Sequence, residues 1–320
     1  MTKNTVIGIH PDRTGSGSYS EKLSKFFEDR GVAVRFLNLL DQDALEQARQ
    51  CDGVMWRWAH NPQDKQSARR ILYTIEHYLG IPVYPDTFTS WHYDEKIAEH
   101  YLLQALNAPM PKTWIFWNPE EALDWCKSAP YPVVFKLSCG AGSSNVLKID
   151  SQSEAERLIN RIFLQGIFPY TMNEFKTSGL PRSTSQLMSF AGRSMDAFGY
   201  IVSGEYPRLH SHWWKPEHGY AYFQEFLEGN EFDTRVGTIG NRAFALRRFN
   251  RPGDFRASGS GIIDFDPLKI DSRCIEIAFE VSRKGKFGRA YVPLKTVIRC
   301  SGVRTMRFRI PNMVLNRAFS

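Results

Sequence analysis

Read by its apolar and polar positions, the chain begins as an alternation of strands and helices. "TVIGI" (5–9) is a short unbroken apolar run, the pattern of a strand buried on both faces. A loop containing Gly15 and Gly17 follows. The amphipathic stretch "SYSEKLSKFFEDRG" then predicts a helix opened by Ser18 and Glu21 at capping-box spacing and closed by Gly31. "VAVRFLNL", "DGVMWRW" and "IPVYP" read as further strands, separated by helices over "DQDALEQAR" and "DKQSARRILYTIEHYLG". Such alternation predicts a small parallel sheet with helices on its faces, closing near residue 85.

Beyond it the pattern changes. "SWHYDEKIAEHYLLQAL" (90–106) places Ile97, Tyr101, Leu102, Ala105 and Leu106 on one helical face. "APMPKTWIF" is a strand approached through prolines, "NPEEALDWCKSA" a helix, and "YPVVFKLSCGAGSSNV" a strand, loop and strand. "SQSEAERLINRIF" returns to helix, and residues 166–220 carry no clear period. "YAYFQEFLEG", "FDTRVGTIG" and "RAFALRRFN" then read as successive strands turning at Gly229–Asn230 and Gly240–Asn241. "DPLKIDSRCIEIAFEVSRK" is an amphipathic helix.

Charge modifies this picture at one end. All 34 acids lie at or before Glu280, and the last 40 residues hold ten of the 41 Lys and Arg, so residues 1–280 carry 31 bases against 34 acids. The body is mildly acidic and the tail strongly basic, so the net charge of +7 speaks weakly for a nucleic-acid partner. No apolar run is long enough to cross a bilayer, the N-terminus lacks the features of a signal peptide, and five scattered cysteines form no metal or disulfide pattern. The expectation is a cytoplasmic protein with reduced thiols and no membrane partner. Nothing in the sequence bears on oligomeric state.

Three stretches carry candidate chemistry. In "PVVFKLSCGAGSSNV" a lysine, Lys136, ends a strand, and Gly140, Ala141, Gly142, Ser143 and Ser144 follow; small residues let backbone N–H groups approach an anion closely. In "QEFLEGNEFDTRV" (224–236) a strand end presents Glu225, Phe226 and Leu227, with Asp233 eight residues after Glu225. In "RRFNRPGDFRASGSG" (247–261) Arg247, Arg248, Arg251 and Arg256 alternate with turn residues, which suits bidentate capture of phosphate or carboxylate. Each taken alone is equally a hairpin or a solvated basic loop.

In this order, with the lysine of "DEKIAEHYLL", the three stretches resemble the ATP-grasp superfamily, and within it the carboxylate–amine ligases that include the glutamate ligase modifying a ribosomal protein. The resemblance covers about residues 86–280. It implies an α/β N-terminal lobe with a small parallel sheet (1–85), an α+β ATP-grasp module of two lobes (86–284), and a basic, acid-free tail (285–320). It also implies that Lys96 and Lys136 contact the α- and β-phosphates of ATP and that Gly140, Gly142, Ser143 and Ser144 form the phosphate loop. Glu225, Phe226 and Leu227 would hold adenine, and Asp233 the ribose. Arg235, Arg248 and Arg256 would face the γ-phosphate and the acceptor carboxylate, with Ser258 beside them. The implied reaction is ligation of a small-molecule carboxylate to an amine through an acyl phosphate, giving an amide or peptide-like bond.

The departure from the family concerns Mg2+. Related ligases draw their metal carboxylates from strands after the helix at 266–284, where this chain has no acid at all. Asn312 and Asn316 remain, neither with a glutamate two residues before it. Two origins fit: a shift of reading frame near 285–292, for which the absence of strand-like alternation argues, or a divergent tail. The second would leave a catalytically inactive nucleotide-binding protein whose tail grips nucleic acid or an anionic surface. The coding DNA separates them.

Overall fold

The computed structural model describes residues 5–12, 19–59, 61–140, 145–169 and 215–286, together with the backbone of Thr296–Ser301 and Phe308–Arg309. Its first layer is a parallel sheet of β1 (Val6–His10), β2 (Ala33–Phe36), β3 (Gly53–Trp56) and β4 (Val83–Tyr84), in the order β2-β1-β3-β4. The connecting helices are α1 (Tyr19–Glu28), α2 (Ala44–Arg49) and α3 (Pro62–Tyr78). Leu37, Leu39, Ala48, Trp56, Leu72 and Ile75 close the core of this lobe. α1 starts where Asp12 accepts the Tyr19 N–H at 3.0 Å and the Ser20 N–H at 3.2 Å. The expected cap, Ser18, lies outside the described residues. α3 starts conventionally: Asn61 accepts the Asp64 N–H at 2.8 Å, and Pro62 occupies a first-turn position that needs no N–H.

The single helix expected over 90–106 is broken. A short α4 (Thr87–Ser90) is followed by a turn in which Asp94 has φ 54°, and α5 (Lys96–Ala105) begins two residues later. A left-handed residue cannot continue a right-handed helix. The buried face of α5 also differs from the expected one. Ile97 and Leu103 are buried, whereas Tyr101 and Ala105 are exposed, because Leu103 packs into a core shared with Val236 and the helix at 272–284.

The second sheet, in the order β5-β8-β6-β7, contains β5 (Thr113–Phe116), β6 (Val133–Lys136), β7 (Val146–Ile149) and β8 (Ala221–Glu225), all antiparallel. α6 (Pro119–Cys126) and α7 (Gln152–Leu164) cover it. α7 buries Ala155, Leu158, Ile159 and Ile162, the spacing of one helical face, against Phe135, Leu147 and Phe223. Full burial of each large apolar side chain is worth roughly 1.5–3 kcal/mol.

The third sheet, in the order β11-β10-β9-β12-β13, is antiparallel: β9 (Phe232–Ile239), β10 (Arg242–Phe249), β11 (Ile263–Asp264), β12 (Thr296–Ser301) and β13 (Phe308–Arg309). α8 (Ser272–Lys284) packs on it through Cys274, Ala278 and Val281. Three sequence expectations change here. The turn at Gly240–Asn241 does join β9 to β10, but at Gly229–Asn230 the chain crosses from the second sheet to the third. The acid-free tail contains a strand after all, since β12 pairs with β9 from Thr296↔Thr238 to Ser301↔Asp233. Finally, Cys51, Cys126 and Cys139 are free thiols but Cys274 is disulfide-bonded.

Candidate functional site

β6 ends in Lys136, whose backbone pairs with Val146 of β7 and whose side chain is 2% exposed. Its Nζ donates to Gln224 Oε1 on β8 and sits 5.7 Å from the Tyr222 ring centroid. Gln224 Nε2 donates to Thr113 Oγ1 at 2.9 Å, which holds the amide oxygen toward the lysine. Lys96, the first residue of α5, is 7% exposed and reaches the same pocket. Its Nζ donates to the carbonyls of Ser138, Cys139 and Gly140 at 3.1, 2.8 and 3.0 Å. The lysine expected at the phosphates thus grips the glycine loop's own backbone. Glu99, His100, Leu103 and Met110 complete the pocket, which has about 10 Å³ of free volume, room for a single water. As these side chains stand, the pocket has no room for a phosphate group. Burial, then the Lys136 charge, push the His100 pKa down.

Gly140 has φ 98°, and a Cβ there would collide with the side chain of Asn145, so only glycine fits. Gly142, Ser143 and Ser144 lie outside the described residues. Tyr220 OH accepts the Ser138 N–H at 2.7 Å and donates to Glu217 Oε2 at 2.6 Å, bracing the loop from the opposite side.

Two residues beyond Gln224, about 7 Å of extended chain, Phe226 and Leu227 line a groove of about 500 Å³ with Phe249, Asn250, Pro252 and Phe255. Phe226 meets Phe255 edge-on at 5.6 Å, and the Lys148 ammonium lies 4.9 Å from the Phe226 ring centre. Asn230 Oδ1 and Asn250 Oδ1 are buried acceptors with no hydrogen-bond donor among the described residues. Glu225, at the end of β8, has its N–H bound to the Lys112 carbonyl at 2.8 Å.

The third cluster is cationic. Asp233 on β9 stands opposite Arg248 on β10 and gives it both carboxylate oxygens, at 3.0 and 2.8 Å, with the residues 4% and 8% exposed. Arg248 Nη1 is also 3.5 Å from Ser258 Oγ. Asp233, expected at the ribose, is thus occupied in orienting Arg248. Arg235 projects from the same face of β9 two residues on. Its Nε and Nη2 are sealed from solvent and find no acceptor among the described residues, and burial together with the Arg248 charge lowers its pKa to about 10. Arg256, expected beside these two, is held bidentately by Asp254 in the loop, with contacts of 2.7–3.0 Å. Arg247 is structural: it pairs with Asp264 at 2.5 Å and lies over Phe232 and Phe249.

Sequence reasoning missed Gln224 as the partner of Lys136 and Asp233 as the partner of Arg248. The second was recoverable, because counting back from a two-residue turn at Gly240–Asn241 sets position 233 opposite 248.

No family model matches the chain. Over 73 residues it is 36% identical to the alpha-aminoadipate–LysW ligase LysX of Saccharolobus solfataricus, a stretch making up 23% of this chain and 26% of that protein. Among solved structures, N5-carboxyaminoimidazole ribonucleotide synthetase in complex with ADP is similar at a TM-score of 0.60 and 11% identity, over 99% of this chain and 72% of that one. D-cycloserine synthetase DcsG is similar at 0.56 and 12% identity, over 97% of this chain and 91% of that one. The N5-carboxyaminoimidazole ribonucleotide synthetase of Thermotoga maritima is similar at 0.53 and 14% identity, over 97% and 68% respectively. At these identities the likeness to solved structures is one of fold.

Proposed function

The chain has the ATP-grasp fold, and from that premise we propose that it is an ATP-dependent carboxylate–amine ligase. The observation that carries the reading is the gathering of buried cationic side chains. Two buried lysines share one pocket, and the guanidinium of Arg235 has two sealed N–H groups with no acceptor among the described residues. Buried N–H groups without an acceptor are costly, and an incoming phosphate would remove that cost at Arg235. The apolar groove beside Phe226 and Leu227 is large enough for a purine, whose amino group would satisfy the buried amide oxygens of Asn230 and Asn250.

A carboxylate oxygen of the acceptor attacks the γ-phosphorus, the bond to the β-bridging oxygen breaks, and ADP leaves with the electron pair. The acyl phosphate is then attacked at its carbonyl carbon by an amine. Phosphate departs with the C–O electrons and the nitrogen loses a proton to solvent. Arg235 and Arg248 neutralise the transferring phosphoryl group, with Asp233 fixing the orientation of Arg248.

Magnesium does not fit the described residues. No group of three or more His, Cys, Asp or Glu among them could hold a metal ion. Asp264 is bound to Arg247 and Lys269, and Asp266 to Lys269. The same observation, with the absence of acids after Glu280, favours a second reading: a nucleotide-binding protein that does not turn over.

Titration calorimetry with ADP and ATP, followed by ADP release against panels of amino acids and amino sugars with and without Mg2+, tests both. The ligase reading expects binding and ADP release that needs a carboxylate and an amine together. Binding without release leaves the second reading, and no binding at millimolar nucleotide defeats both. Lys136→Ala should weaken ADP binding at least tenfold.

A further inference from the structure

Beneath the glycine loop lies a polar bridge that the chemistry above does not use. Lys65, on α3 of the N-terminal lobe, donates from Nζ to Asp94 Oδ2 at 3.0 Å and to the Asp94 carbonyl at 3.2 Å. The other carboxylate oxygen, Oδ1, accepts the N–H of Gly140 at 3.0 Å. Lys65 and Asp94 are 8% and 4% exposed. Asp94 also holds φ at 54°, a conformation that costs a side-chain-bearing residue about 1–2 kcal/mol.

A strained backbone persists where its surroundings over-determine it. A buried ion pair stabilises a fold little better than apolar residues of the same shape. Together these features describe a part kept for where it puts its neighbour. That neighbour is Gly140, whose carbonyl is one of the three gripped by Lys96 and whose amide faces Asp94.

Resting on the nucleotide-binding reading of the site, we infer that Asp94 is a positioning residue for the phosphate loop: one carboxylate oxygen sets the backbone of Gly140 and the other anchors it, through Lys65, to the N-terminal lobe. The lobe that contributes no phosphate contact in the family pattern thereby controls the geometry of the loop that does. Misplacement of a positioned group by about 1 Å can cost an enzyme on the order of a hundredfold in rate.

The test compares the full-length wild type with Lys65→Met, Asp94→Asn and Asp94→Ala. It uses hydrogen exchange of the segment 137–141 without nucleotide, ADP affinity by calorimetry, and thermal melting to verify folding. Lys65→Met and Asp94→Ala are expected to speed exchange at Gly140 and to weaken ADP binding about tenfold, the worth of one charge-assisted hydrogen bond. Asp94→Asn keeps an acceptor for the amide and should fall between them and wild type. The double variant Lys65→Met/Asp94→Asn should bind ADP within about twofold of the weaker single variant, because both act through one bridge. Should Asp94→Ala fail to fold, Lys65→Met and Asp94→Asn carry the test. Exchange and ADP affinity that match wild type in both overturn the assignment, as does faster exchange with unchanged affinity. Wild-type protein that protects Gly140 but binds no ADP overturns the nucleotide reading, and this role with it.

Discussion

At Arg235 burial and charge pull most directly against each other. Its pKa falls to about 10 from an ordinary 12.5, chiefly through burial and then through Arg248. Between those values the unfolded chain binds more protons than the folded one, so stability rises with pH across that window and the buried charge is a liability below it. Arg235→Met should therefore leave the ligand-free protein at pH 7 at least as stable as wild type. Phosphate or ADP, which raises the melting temperature of wild type by binding the folded state, should raise that of the variant far less. A variant that melts lower without ligand and still gains fully from ADP would show that Arg235 faces no anion. Asp233 calls for the opposite expectation. Removing one member of a buried, doubly hydrogen-bonded pair leaves a buried charge alone, at a cost of about 3–5 kcal/mol. Asp233→Ala should lose that much in denaturant unfolding, and Asp233→Ala/Arg248→Met should recover part of it. If Asp233→Ala is silent in stability yet abolishes ATP binding, the carboxylate belongs to the ribose instead.

At the level of elements, the glycine loop is where local sequence and function meet. Gly140 alone can take φ 98° here, with Asn145 packed where a Cβ would go and its amide bound to the Cys139 carbonyl at 3.0 Å. Gly140→Ala should destabilise the protein by about 1–3 kcal/mol and weaken ADP binding by more than that loss explains. An alanine variant with wild-type affinity would show the loop to be a spacer. The strands and helices of the first lobe were readable because each is short and bounded by its own turn residues. Lys136 and its loop were readable because a lysine at a strand end followed by small residues is a local pattern. The break at Asp94 was not, since a single left-handed residue leaves the apolar period on either side intact. The passage of β8 and β9 into different sheets was also hidden, because alternation marks a strand and says nothing of its partner. The triple grip of Lys96 on carbonyls some 40 positions away is a tertiary contact with no sequence signature.

For the whole molecule the decisive question is what the basic tail is. As a detachable arm for nucleic acid, its removal would leave the body untouched and abolish a salt-dependent affinity. The pairing of β12 with β9 argues otherwise. β9 lies third in a five-stranded sheet, carries Asp233 and Arg235, and buries Thr234, Val236 and Thr238 at 3%, 0% and 2% exposure. Ending the chain at Gly285 would strip six paired positions from it and leave an unpaired strand edge in their place. The shortened protein is expected to lose its cooperative unfolding transition or to aggregate, and to lose ADP binding with it, because the arginine cluster rests on that strand. Retention of the wild-type melting temperature and ADP affinity, with loss of RNA binding alone, would instead establish the tail as an appendage and shift the balance toward the nucleotide-binding protein without turnover. A strand that β9 needs on its flank is part of that sheet, whatever charge its side chains carry.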